Sequence, residues 1–258
     1  MFSIPFLRRR GRSCHSSEDR LARLRRVLAQ YNSTHGASDW SDLDVEAALE
    51  GIEASWPPEL HRMAGLQPLG FPLRSAARIA VLKPGFEIPA GAREFSAADT
   101  AGIRSYTPDA VVAPLNTALL LADQRLLGKF GLPSLRTAIA VVTRINDAPL
   151  ASHHRDLLWR AFGVPIFEIL LGWDGSVIAR ECELHDGLHI ECDVVLPIIR
   201  GEELLLTHLN ETEQPIVLGR TGYSGAVFTS RCECGSEAAR LLNLMPVRVV
   251  VRAKSATA

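Results

Sequence analysis

The hydrophobic period of this chain changes near Ile166, and that change constrains the fold more than any other feature. Upstream, residues 77–82, 110–112 and 135–142 are short apolar runs. Residues 116–127 and 152–162 carry apolar positions at helical spacing, ended by Gly128 and Gly163. Another apolar run starts at Val164-Pro165-Ile166-Phe167. Strand–helix–strand at these lengths predicts a parallel sheet with right-handed crossovers. The run at 135–142 is nearly continuous, as expected of a strand buried on both faces. Downstream, Asp174-Gly175 and Asp186-Gly187 lie between β-prone runs, and Asp-Gly is a strong two-residue hairpin signal. Further strands are expected at 190–199, 203–209, 216–218 and 247–251. The expected fold class is therefore α/β: a parallel sheet with flanking helices over 76–165, followed by an antiparallel, β-rich and barrel-like subdomain over 166–258.

Residues 1–75 read as a helical and loop-rich segment. Ser17 can cap a helix carrying Leu21, Leu24, Val27, Leu28 and Tyr31, and Ser41 opens a second with Asp44 three residues on. Trp56-Pro57-Pro58 closes it, since proline disfavours helical geometry in the residue before it. Arg8, Arg9, Arg10 and Arg12 follow a short apolar start, the wrong order for a secretory signal. No apolar run reaches the roughly 18–20 residues of a membrane span. A net charge of −1 gives no general attraction to nucleic acid. The expected location is cytoplasmic.

Four of the five cysteines, Cys182, Cys192, Cys232 and Cys234, crowd into the last third of the chain, far from Cys14. In a cytosolic protein such clustering favours metal ligation over disulfides. Tetrahedral zinc takes four nitrogen or sulfur ligands, commonly cysteines with one histidine. Cys232 and Cys234 can face one ion from a turn that Gly235 permits. In a two-residue hairpin pairing His185 with Leu188, Leu184 opposes His189 and Cys182 lies diagonally near it. The expected set is Cys182, His189, Cys232 and Cys234 around a structural zinc, with His185 and Cys192 in reserve. Four protein ligands leave no open position for catalysis. The alternative is a group of buried reduced thiols beside a surface histidine. His153 and His154 diverge by ~100° on a helix and are read as solvated. Trp159 and Trp173 are read as core or interface residues, and residues 142–147, with Arg144, Asn146 and Asp147, as a connecting loop at the sheet edge where α/β proteins bind ligands.

Several phrases in order resemble the phenylacetate–CoA ligase branch of the adenylate-forming enzymes. They are Thr107-Pro108-Asp109-Ala110-Val111-Val112, the segment through Ala161-Phe162-Gly163-Val164-Pro165-Ile166-Phe167, Glu181-Cys182, Gly187-Leu188-His189-Ile190, residues 203–210 (ELLLTHLN) and Cys232-Glu233-Cys234-Gly235, covering roughly residues 105–242. The resemblance implies the central part of an adenylate-forming enzyme. It also exposes replacements. Where the family's Tyr-Gly-x-Thr-Glu supplies a magnesium-binding glutamate, this chain has Leu171-Gly172-Trp173-Asp174-Gly175. Where its Arg-Thr-Gly-Asp grips the ribose, this chain has Arg220-Thr221-Gly222-Tyr223, so the first three residues are a relic of the nucleotide motif. No Gly- and Ser/Thr-rich phosphate loop precedes Ala77, and with the sequence ending at Ala258 the mobile C-terminal domain and its lysine are expected to be missing.

Adenylation depends on holding phosphates, metal and carboxylate in line. The expectation is a degenerate family member, a pseudoenzyme without catalytic residues that cannot adenylate alone. Neither ATP nor CoA would be used productively. Its role would be binding or scaffolding, with a protein partner or homodimer and an acyl-acid, aryl-acid or CoA ligand. Two other readings stand beside it: a divergent acid–CoA ligase or acyl-CoA-using enzyme completed by another chain, and a zinc- or redox-responsive regulator.

Overall fold

The computed structural model of the protein describes residues 17–35, 73, 76, 78–82, 92–145, 147–191, 193–209, 216–236 and 238–247. Cys14, Asn146, Cys192 and the expected helix after Ser41 lie outside the described residues, as does most of the strand expected at 247–251.

Four helices are described: α1 (Ser17–His35), α2 (Thr100–Tyr106), α3 (Leu115–Leu126) and α4 (Ser152–Phe162). The strands are β1 (Ile79–Leu82), β2 (Ala92–Phe95), β3 (Ala110–Pro114), β4 (Ala138–Arg144), β5 (Ile166–Leu171), β6 (Val177–Glu181), β7 (Leu188–Ile190), β8 (Val195–Arg200), β9 (Glu203–His208), β10 (Gly219–Phe228) and β11 (Arg240–Pro246). They form one sheet in the order β2-β1-β3-β4-β5-β6-β7-β11-β10-β9-β8. Pairing is parallel from β2 to β5 and antiparallel from β5 onward. The α/β class and the switch from parallel to antiparallel near Ile166 are thus what the structure has.

The parallel strands are apolar throughout because both faces are covered. Val111, Ile139, Val141 and Ile166 pack with Leu121, Leu158 and Ala161 of α3 and α4. Val81, Val112, Ala140 and Leu171 fill the opposite face with Leu73. Each fully buried Val, Leu or Ile contributes roughly 1.5–3 kcal/mol. Helix α4 ends where the sequence predicts: Gly163 takes φ +68° and donates its N–H to the Trp159 carbonyl. Beyond β5 the sheet curls, so that Ile178, Leu188, Val195, Leu204, Leu206, Tyr223 and Leu241, from six strands, share one core. Leu24 of α1 packs on Leu196 and Leu209.

Several boundaries differ from expectation. β4 begins at Ala138, three residues late, because Leu135 reaches the core from a turn, its N–H bonded to the Leu132 carbonyl. The run expected at 190–199 is two strands, β7 and β8, and the strand after Ile216 begins only at Gly219. The Asp186-Gly187 turn is not a two-residue hairpin. Glu181 opposes Leu188 and Arg180 opposes His189, leaving six residues in the connection.

Candidate metal centre

β6, β7 and β11 are neighbours in the sheet, and the four expected ligands meet at one end of them. Cys182 follows the last residue of β6, His189 sits in β7 opposite both Arg180 and Arg240, and Cys232 and Cys234 lie in the β10–β11 connection. The corrected register keeps Cys182 near His189, since Cys182 stands two residues beyond Arg180 and so on the same side of the ribbon. All four ligand atoms lie within 4.8 Å of one another. His185, held in reserve, points elsewhere: it stacks on Phe167 at 4.7 Å and its Nδ1 is 3.5 Å from Glu181.

The Cys-x-Cys-Gly turn is built for ligand presentation. Cys232 receives the Gly235 N–H at its carbonyl, Gly235 adopts φ +88°, and the Ser236 N–H donates to Cys234 Sγ at 3.4 Å. Two sulfurs, Cys182 and Cys232, are 3.9 Å apart, and Cys234 Sγ is 3.6 Å from His189 Nε2. These spacings are not those of a disulfide, which holds its sulfurs at about 2.05 Å. A tetrahedral zinc with bonds of about 2.3 Å to sulfur and about 2.05 Å to nitrogen requires sulfur–sulfur gaps of about 3.8 Å and sulfur–nitrogen gaps of about 3.6 Å.

Burial opposes charge on Cys182, Cys234 and His189. It raises the Cys182 thiol, pushes Cys234 up to about 12, and lowers His189 below the ordinary histidine value. Three thiolates cannot share this space without a cation, and a divalent ion at their centre reverses the balance by deprotonating them. The residues therefore fit zinc: three thiols able to ionise and one neutral imidazole, with the 3.9 and 3.6 Å gaps matching that tetrahedron. His189 Nδ1 is buried without a hydrogen-bond partner, while Glu183 and the Ala238 backbone draw the ring toward its charged form against the effect of burial.

Two buried arginines missed by sequence reading flank His189 in strand register. Arg180 pairs with Glu191 at 2.7 Å, and Arg240 bonds Asp186 and Ser230. Arg180 Nε, Arg180 Nη1 and Arg240 Nε are buried without a hydrogen-bond partner, and a Cys3His zinc would carry net negative charge. The available signal was Arg180 itself, a charge directly after the apolar run Val177-Ile178-Ala179.

The segment Arg220-Thr221-Gly222 has a structural task. Thr221 is fully buried and donates to the Leu204 carbonyl at 2.7 Å, while Gly222 adopts φ +73°. Arg220 opposes Leu205 and Ser224 opposes Glu203, so four steps along β10 span two along β9. The resulting bulge turns Tyr223 into the core, where its hydroxyl donates to the carbonyls of Arg144 (3.2 Å) and Asp147. Burial, with Glu168 and Asp147 nearby, raises the phenol further above its usual range. Arg220 faces outward and holds Glu203 at 2.7 Å. Gly175 sits in the β5–β6 turn at φ +82°, with Asp174 accepting from the Ser176 N–H and hydroxyl. Of the remaining candidates, Trp159 is 60% exposed, and the His153 and His154 rings touch at 3.9 Å, closer than helical divergence suggests. No further ligand group joins them among the described residues.

His208, also missed, is buried against Trp173 with Nδ1 3.4 Å from Asp174 and Nε2 unpartnered. Burial lowers its pKa, against the pull of Asp174. The unfolded chain therefore binds this proton first, and the stability present above the unfolded value of about 6.5 is lost as pH falls below it. The denaturation midpoint should drop between about pH 7.5 and about pH 5.5, and His208→Gln should flatten that slope. Equal slopes in the two proteins would refute the assignment.

No protein-family model matches the sequence, and no curated protein matches it. Solved structures do match the fold. A 2-hydroxyisobutyryl-CoA ligase in the postadenylation state, in complex with R3-HIB-AMP, is similar over 95% of this chain and 72% of its own, with TM-score 0.62 and 14% identity. The same ligase in an open conformation with 2-HIB-AMP and CoA matches over 64% of this chain with TM-score 0.52 and 14% identity. In its postadenylation complex with 2-HIB-AMP the ligase matches over 66% of this chain, with TM-score 0.53 and 16% identity. The chain spans only 44% and 43% of the ligase's length in those last two. The likeness is one of fold: the mixed sheet is shared with this CoA ligase.

Proposed function

We propose that this chain keeps the architecture of an acid–CoA ligase without its nucleotide chemistry, and serves as a zinc-stabilised binding or scaffold protein. The observation that carries this reading is Tyr223. In the resembling family that position holds the ribose-binding aspartate; here a buried phenol spans from β10 to the loop after β4 and spends its hydroxyl on backbone carbonyls. The replacement of the magnesium glutamate by Gly175 supports it, because φ +82° costs a side chain of any size roughly 1–2 kcal/mol. The 2-hydroxyisobutyryl-CoA ligase was solved with acyl adenylates and CoA; on this reading, an acyl or aryl acid or its thioester is the ligand class retained here, and a protein partner or second copy is the other occupant.

ATP–pyrophosphate exchange tests this directly. Across a panel of aryl and acyl acids, zinc-replete protein should stay at the no-protein background. Exchange above background with any acid would make the chain a ligase in its own right and overturn the proposal.

A further inference from the structure

We infer that Cys182 and Cys232 join as a reversible disulfide when the metal leaves, making the centre an oxidant-sensitive switch; this rests on the metal reading above. The two sulfurs are 3.9 Å apart and belong to segments 50 residues apart in sequence, at the end of β6 and before β11. Moving them together needs only small displacements of a strand end and a connecting loop. The competing pair, Cys232 with Cys234, has only Glu233 between its members, and so small a ring strains the torsions a disulfide prefers. Cys234 is also engaged otherwise, by the Ser236 N–H at 3.4 Å and His189 Nε2 at 3.6 Å.

The chemistry balances with a peroxide as oxidant. One thiolate attacks hydrogen peroxide, gives a sulfenic acid and releases hydroxide, which takes up a proton to become water. The second thiol then displaces water from that sulfenic acid, forming the sulfur–sulfur bond. The disulfide removes two of four metal ligands, so zinc cannot return until a thiol reductant restores them. With zinc bound, the same sulfurs are coordinated and shielded.

The test uses the full chain, with its metal content measured first. Metal-stripped protein is treated with dilute hydrogen peroxide, alkylated, digested and mapped without reduction. The expected result is a Cys182–Cys232 link, a fall in free thiols from the five of the sequence to three, and zinc uptake that returns only after reduction. Cys234→Ser should keep the link and Cys182→Ser should lose it. A Cys232–Cys234 or Cys182–Cys234 link, or no loss of thiols, overturns the inference. Purified protein that neither contains nor takes up zinc overturns the metal reading instead, while the link is still scored on the metal-free chain.

Discussion

Removing one metal ligand should strongly destabilise the antiparallel half of this protein while leaving it folded at low temperature. Apparent zinc-binding free energies of about 10–16 kcal/mol for small structural sites are comparable to the roughly 5–15 kcal/mol total stability typical of a domain. In Cys232→Ser or His189→Ala, the connection between β10 and β11 loses its anchor to β6 and β7, and the core around Leu188, Tyr223 and Leu241 loses its frame. The expected result is a fall in Tm of at least about 10 °C at roughly 2–4 °C per kcal/mol. A strong chelator should reproduce the loss in wild type and add nothing in the variants. Variants that lose stability while wild type is indifferent to chelation would mean that the cysteines are core thiols and no more.

The second large effect is expected at Arg155. From α4 this residue donates to both Glu181 oxygens at 2.8 and 3.0 Å and approaches Glu168 at 3.6 Å. Glu181 also accepts the Glu168 N–H at 2.7 Å, and Glu168 accepts from Thr143 at 2.8 Å and from the Leu150 N–H. Both carboxylates are buried, so Arg155→Met leaves them without their cation, a change worth roughly 3–5 kcal/mol. Burial already raises the Glu168 pKa. A raised carboxyl contributes most below its unfolded value of about 4.3 and loses that contribution as pH rises through its folded value. The variant's deficit should therefore be large at neutral pH and smaller near pH 4, by denaturant titration at each. A deficit that does not change with pH would contradict the network. Because Glu181 precedes Cys182, the same loss should weaken metal retention.

The parts of the fold readable in the sequence were those whose residues serve one demand. Gly163 announces the end of α4, and the apolar run in β4 can only be a doubly covered strand. β2 and α2 were missed because they bury so little: Arg93 and Glu94 of β2 face solvent, and Ile103 is the one buried residue of α2. Among the site residues, cysteine and histidine spacing pointed to the metal cluster directly. The Arg155–Glu181–Glu168 network, the arginines beside His189 and the inward turn of Tyr223 depend on which strands become neighbours. That information lies in pairings of distant segments, such as β7 with β11, and not in any local pattern.

The central claim, a ligase fold whose nucleotide position is filled by its own tyrosine, is tested most directly by ligand-dependent thermal stability of metal-quantified protein. A ligand at 100 times its Kd stabilises the native state by about 2.7 kcal/mol, a shift easily read. ATP with magnesium and AMP should leave Tm unchanged up to millimolar concentration. A saturable rise with either nucleotide would contradict the account and return the chain to the adenylating enzymes.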